Sequence, residues 1–173
     1  MRATQSAVIV AIPEVEAAVA ALRLRLDPAA GRGVPAHVTV LYPFLPPDEI
    51  DGRALTGVAA AVGAVPAFDV RFERTAWFGD EVLWLAPRPS APFSTLTIQV
   101  WQRFPRCAPY EGAHRELIPH LTVGDHAELA ALQEADLAVA AALPIPARVT
   151  HARLICGSTE PDSWRTMTEL PLG

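Results

Sequence analysis

The sequence predicts an α+β fold with two lobes in one domain. Three observations point there. Short apolar, β-branched runs alternate with stretches whose apolar residues recur at helical spacing. A tight turn folds at least one strand back on its neighbour as a hairpin. The pattern of the first half returns in the second, and no stretch between them has the composition of a linker.

Taken in order, Ala7 to Ile12 is short and β-branched and reads as a buried strand. Pro13 ends it and opens a helix to about Leu26. Glu14 and Glu16 fall in the first turn, where the helix dipole favours acids, and Val15, Val19, Leu22 and Leu26 form the apolar stripe. Asp27-Pro28 stops that helix, and Gly31-Arg32-Gly33 reads as a flexible loop. Ala36 to Tyr42 is a second strand. After Pro43, Pro46 and Pro47, a helix begins at Asp48-Glu49 and carries Ile50, Leu55, Val58 and Val62. Phe68 to Trp77 alternates, with Phe68, Val70 and Phe72 on one side and Asp69, Arg71 and Glu73 on the other. Phe78-Gly79-Asp80-Glu81 turns the chain back into Val82 to Leu85. Pro92 to Phe104 is a helix, Arg106 to Arg115 an irregular loop, Ile118 to Val123 a strand, and His126 to Ala141 a helix. Pro144 and Pro146 deliver the chain to one long strand, Ala147 to Cys156. A closing strand runs from Trp164 to Leu170.

With 173 residues, 51% hydrophobic and 19% charged, this is a folding chain that needs no covalent staple. Its net charge of -5 argues against binding long duplex nucleic acid, which requires a basic field. A small phosphorylated nucleotide or a single RNA terminus needs only a local positive site. Cys107 and Cys156 are too sparse for a disulfide framework and read as two thiols in a reducing compartment. The first apolar run ends at Pro13-Glu14, too soon for a signal peptide, and no run approaches a membrane span. The expectation is a cytoplasmic monomer with no membrane partner.

The chemistry lies in two matching units, His37-Val38-Thr39-Val40 and His120-Leu121-Thr122-Val123. Strand side chains alternate, so His37 and Thr39 share one face while Val38 and Val40 share the other; the second unit repeats this. Each unit can therefore bury an apolar face and present an imidazole and a hydroxyl together. Two imidazoles in opposite protonation states form an acid–base pair near neutral pH. Two Thr hydroxyls can hold the non-bridging oxygens of a phosphate between the rings. The scheme requires neither metal nor cofactor. A lone His-x-Thr would more simply be a hydrogen-bonded strand residue; its repetition in matching contexts is what carries the reading.

His37-Val38-Thr39-Val40-Leu41-Tyr42-Pro43-Phe44 and Pro119-His120-Leu121-Thr122-Val123-Gly124 resemble the two motifs of the 2H phosphoesterase superfamily, which includes bacterial RNA 2',3'-cyclic phosphodiesterases also named 2'-5' RNA ligases. The resemblance implies a bilobal, pseudo-symmetric fold, with antiparallel sheets lining a central groove and helices outside. It implies His37 and His120 as the catalytic pair and Thr39 and Thr122 as phosphate binders. It implies hydrolysis of 2',3'-cyclic phosphates or 2'-5' linkages, with a 2'-phosphate product. The alternatives are a nucleotide-binding protein with little catalysis and a nucleotide-independent 2'-5' RNA ligase. His120 is assigned to the attacking water and His37 to the leaving oxygen, with the reverse also open. Gly124-Asp125-His126 follows the second motif where RNA-processing members often keep Arg or Lys, which argues against long structured RNA.

Around the motifs, strand parity turns Tyr42 away from His37 and towards the core. Phe44 lies beyond Pro43, where parity no longer applies, and is a candidate for stacking a base, with packing as the alternative. Arg32, Arg106 and Arg115 lie in loops near the motifs and could reach phosphate; surface solvation is the other reading. Trp77 and Phe78 at the hairpin turn could wall the groove, with a core or rim role as the other reading. His114, His120 and His126 match no zinc-ligand spacing, so no structural metal is expected.

Overall fold

The computed structural model describes residues 2–109 and 117–173. Among these residues, eight strands form one antiparallel sheet: β1 (Gln5–Ala11), β2 (His37–Leu41), β3 (Phe68–Phe78), β4 (Val82–Arg88), β5 (Leu121–Asp125), β6 (Ile145–Val149), β7 (His151–Gly157) and β8 (Arg165–Pro171). Their order is β6-β3-β4-β5-β2-β1-β7-β8. The helices are α1 (Glu16–Leu26), the single turn α2 (Pro28–Gly31), α3 (Gly52–Gly63), α4 (Ala91–Arg103) and α5 (Leu129–Ala140).

The sheet is thinnest at its centre, where β2 and β5 meet through one pair, Val38 opposite Leu121. Four strands lie on each side of that joint, giving two lobes. The lobes are interlocked. The first half, β1-α1-β2-α3, sends its next strand, β3, across to pair with β4 and β6. The second half, β4-α4-β5-α5, sends β7 back to pair with β1. Helices cross over too: α1 packs on β5 and α4 on β2.

The segment expected as one long strand is instead two. Its first part, β6, pairs with β3; its second, β7, pairs with β1 and β8. Only Thr150 separates them, although they stand first and seventh in the order. Six strand spacings in a flat sheet would amount to about 29 Å, and one residue reaches only about 3.5 Å. The sheet therefore curls until its two ends approach. Periodicity alone could not reveal this, because the chain is extended on both sides of Thr150.

Curling gives the sheet two unlike faces. On β1, Val8 and Val10 enter the main core with Val38, Leu121 and Leu132, whereas Ala7 and Ile9 join a second, smaller cluster on the concave side. All four are buried, as the unbroken apolar run of β1 predicts.

Three boundaries also move. α3 begins after Asp51, whose carboxylate accepts from the Ala54 amide at 2.8 Å; Pro47–Glu49 is a separate short turn. Gly31 closes α2 rather than lying in a loop. α5 begins at Leu129, because His126 has a φ of 53°, outside the helical region.

Candidate active site

The central joint sets the geometry. Extending the Val38–Leu121 register by one residue each way places His37 opposite Thr122 and Thr39 opposite His120. A local twofold axis thus relates the motifs, and all four side chains line one cavity of about 310 Å³.

Each motif then carries a β-bulge at the same place. β1 pairs Val8 with Leu41 but Ile9 with Thr39, leaving Val40 extra. β4 pairs Leu83 with Gly124 but Trp84 with Thr122, leaving Val123 extra. A bulge sets two residues against one and resets the alternation. Val40 and Leu41 consequently both enter the core, and the next residue, Tyr42, returns to the cavity. Val123 and Gly124 are likewise both buried, and Asp125 returns to the cavity. The expectation that parity turns Tyr42 to the core is corrected by this bulge. Gly124 has a packing reason: a Cβ there would lie 2.4 Å from the Leu132 side chain and 3.1 Å from Leu26 Cβ, where α5 and α1 close on β5.

Both imidazoles are held identically. His37 Nδ1 donates to the Pro35 carbonyl at 2.7 Å, and His120 Nδ1 donates to the Ile118 carbonyl at 2.7 Å. A carbonyl only accepts, so the proton stays on Nδ1 and Nε2 becomes the exchanging atom of each ring. Burial lowers the pKa of His37 to about 4; the Arg23 charge adds to this, the Pro35 bond opposes it, and His120 lowers it further. His37 is therefore neutral at pH 7. Among the described residues neither Thr39 nor Thr122 has a side-chain hydrogen-bond partner, so both hydroxyls are available to an anion.

His120 has an aromatic surround. Phe78 meets it edge-on with ring centroids 5.0 Å apart, and Trp84 lies 5.9 Å away, stacked on Phe78. Trp77 takes no part. Its Nε1 donates to Asp136 on α5 at 2.9 Å, on the helical side of the sheet, and strand parity carries the neighbouring Phe78 to the other side. The expectation that Trp77 walls the groove is corrected accordingly. So is that for Phe44, which is 6% exposed in the main core with Phe104 edge-on at 4.9 Å. Arg32 does line the cavity. Arg106 is paired with Glu49 away from it. Arg115 and His114 lie outside the described residues.

Sequence reading passes over Arg23. It is 2% exposed on α1 and ties the second motif to the loop before the first: Nε donates to the Thr122 carbonyl at 3.2 Å and Nη1 to the Val34 carbonyl at 3.2 Å. Its Nη2 pairs with the buried Asp27 carboxylate at 2.7 Å, and Asp27 also accepts from the Ala29 amide. The available signal is positional. Arg23 lies four residues after Val19 and four before Asp27, so helix geometry puts a charged pair on an apolar face. Among the described residues no three His, Cys, Asp or Glu side chains converge in a metal-holding group.

A family model described as the 2'-5' RNA ligase superfamily matches residues 12–158. Among solved structures, TT0787 of Thermus thermophilus aligns with a TM-score of 0.67 at 17% identity, covering 96% of this chain and 97% of that one. Escherichia coli LigT complexed with 3'-AMP aligns with a TM-score of 0.62 at 19% identity, covering 99% of both chains. LigT has also been seen with NADP+, ATP and phosphate. At these identities the likeness establishes a shared fold. No curated protein matches the chain.

Proposed function

The chain belongs to the 2'-5' RNA ligase superfamily, the 2H phosphoesterases its motifs resemble, and from that premise we propose that it hydrolyses the 2',3'-cyclic phosphate of a small nucleotide or RNA end without a metal. One observation carries the reading: the register at the sheet joint gives two imidazoles, each with its Nδ1 proton fixed, and two Thr hydroxyls to a single cavity.

Neutral His37 takes a proton from water through Nε2 as the water oxygen bonds to phosphorus. His120, carrying a proton, gives it to the ribose O3' as the P–O3' bond breaks, leaving a 2'-phosphate. This exchanges the roles first assigned from sequence, because His37 is the ring held neutral by its surroundings. Thr39 and Thr122 hydroxyls donate to the non-bridging oxygens, where charge builds in the transition state. Arg32 supplies a cation at the cavity for a further phosphate. Formation of a 2'-5' linkage uses the same groups, with a 5'-hydroxyl in place of water: its oxygen bonds to phosphorus, its proton goes to His37, and O3' leaves with the proton from His120.

The complexes of LigT with nucleotides and phosphate support a ligand of that size. We treat residues 1–173 as one bilobal unit, since both lobes supply the site. We place it in the cytoplasm as a monomer, where the free thiols of Cys107 and Cys156 stay reduced. Among the described residues no helix is long and apolar enough to cross a membrane.

The test is turnover in chelator across 2',3'-cyclic nucleotides, 2'-5' oligonucleotides and ADP-ribose cyclic phosphate. Hydrolysis of the first is expected; no turnover of any of them would refute the reading. The pH profile checks the roles. A base must be unprotonated, so kcat/KM should hold as pH falls through 6.5 and decline only near pH 4, where His37 gains its proton. An acid limb well above pH 4 would exclude His37 as the base.

A further inference from the structure

The hairpin of β3 and β4 carries opposite charges at its two ends. At the turn stand Asp80 and Glu81, with Asp125 of β5 nearby; Glu81 and Asp125 hold His126 between them. At the other end stand Arg71, Arg74 and Arg88, all exposed. A chain of net charge -5 thus gathers cations at a place that the proton transfers at the histidines do not use.

These arginines share the cavity's face of the sheet. On β4, Leu83 and Leu85 enter the main core, so Val82, Trp84, Ala86 and Arg88 point to the other side, where Val82 lines the cavity. Arg71 stands opposite Arg88, and Arg74 opposite Ala86. A bulge brings both arginines to this face: Phe72 pairs with Pro87 and Arg74 with Ala86, which leaves Glu73 extra and resets the alternation. Extending the Leu85–Leu121 register by one residue puts Ala86 beside His120. Arg74 therefore lies two strand spacings from His120, about 10 Å, and the Arg71–Arg88 row two residues further out, about 7 Å. In the row beyond, Arg148 of β6 stands opposite Asp69.

The apposition of Arg71 and Arg88 costs stability, because like charges directly opposite one another destabilise a sheet. Among the described residues Arg71 and Arg74 have neither an ion pair nor a side-chain hydrogen bond. Arg88 meets Glu73 at 4.0 Å and Arg148 meets Asp69 at 2.8 Å, both exposed pairs of little strength. A phosphate between the two guanidinium forks turns their repulsion into binding.

We propose that Arg74, the Arg71–Arg88 pair and Arg148 form a track for the phosphates upstream of the reacting end of a single-stranded nucleic acid. The 3'-terminal nucleotide occupies the cavity, and the strand leaves over the second lobe, away from the acids at the hairpin turn. The proposal rests on the phosphodiesterase reading and extends its substrate from a mononucleotide to an oligonucleotide end. The rows are spaced comparably to neighbouring phosphates of an extended strand, and a cationic groove of this kind follows the backbone without reading bases. Arginine forks read phosphate and not sugar, so only the terminal residue needs to be a ribonucleotide.

The experiment compares a 2',3'-cyclic mononucleotide with oligodeoxynucleotides of increasing length that end in one ribonucleotide 2',3'-cyclic phosphate. In the full chain KM should fall with each added phosphate and level off after about three, one for each arginine row. For the longest substrate, log kcat/KM should fall with log salt more steeply than for the mononucleotide, by about 0.7 for each phosphate neutralised. Arg71→Gln with Arg88→Gln should lower that slope by about 0.7 and raise the KM of the longest substrate towards that of the shortest. Its urea midpoint should hold or rise, because like charges are parted. Arg74→Gln is read in its place, with the same expectation, if the paired variant fails to fold. Arg2→Gln, at an exposed arginine paired with Asp48, should keep the wild-type dependence on length. A KM that ignores length in the wild type, a length dependence unchanged in the arginine variants, or one abolished instead by Arg32→Gln overturns the proposal. If the wild type turns over none of these substrates, the phosphodiesterase reading fails and the track is judged by fluorescence anisotropy with a labelled oligodeoxynucleotide. Binding weakened by Arg71→Gln with Arg88→Gln still supports the track. Equal binding overturns it, as does displacement by polyglutamate as readily as by an oligonucleotide of the same charge, which would assign the face to an acidic peptide.

Discussion

Replacing His37 or His120 by Ala is expected to cut kcat by about 10²- to 10⁴-fold per site, the range of a well-placed acid or base. The double variant should fall well short of the product of the two losses. Once one proton transfer is gone, the other no longer operates within the same concerted step. Each substitution removes a ring that bonds to the backbone through Nδ1, at the Pro35 or the Ile118 carbonyl. That bond contributes about 1 kcal/mol. Urea midpoints should therefore stay close to the wild type while turnover collapses. The two remnants should also differ in pH dependence. His37→Ala removes the acid limb near pH 4, and His120→Ala leaves it in place. Full activity in either variant would exclude the paired mechanism. A matching loss of activity and of folded protein would make the histidines structural.

The parts of this site that are legible in the sequence are those that obey period-two alternation. His37 with Thr39, and His120 with Thr122, share a face because they lie before each bulge. Tyr42 and Asp125 lie just after it, where parity is reset by an extra residue that composition does not announce. From sequence, Tyr42 consequently reads as core and Asp125 as the lead into a helix. The longer helices α1, α3, α4 and α5 are legible in the sequence, whereas the single turn α2 is not. The split of 145–157 between two lobes is not, since Thr150 interrupts neither the extended backbone nor the apolar pattern. Which strands pair is decided by contacts across the sheet, and these leave no local mark. Phe44 and Trp77 show the same limit from the other side. Both have aromatic chemistry suited to a base, yet each is taken by a partner distant in sequence, Phe104 for one and Asp136 for the other.

Arg23 shows how a residue away from the reacting atoms can govern both stability and rate. Arg23→Met leaves the Asp27 carboxylate, 5% exposed, without its cation and removes the guanidinium donor from the Thr122 and Val34 carbonyls. Breaking a buried pair from one side costs about 3–5 kcal/mol, a large share of the roughly 5–15 kcal/mol that holds a domain folded. The single variant should thus unfold at much lower urea, which entangles lost folding with lost chemistry in any assay. The paired substitution separates them. Arg23→Met with Asp27→Asn takes away the stranded charge, while the Asn oxygen can still accept from the Ala29 amide. Much of the stability should return, because an apolar replacement for a buried ion pair is often close to neutral. The activity should not return with it. Thr122 has lost the brace on its carbonyl, and His37 has lost the positive charge that helps to keep it neutral. Removing that charge raises the pKa of His37, so the acid limb of kcat/KM should move upward from about 4 towards the ordinary histidine range. A refolded double variant with wild-type turnover and an unmoved acid limb would reduce Arg23 to a packing residue. A stable one whose limb has moved would establish that the cation behind the sheet joint sets the proton balance in front of it.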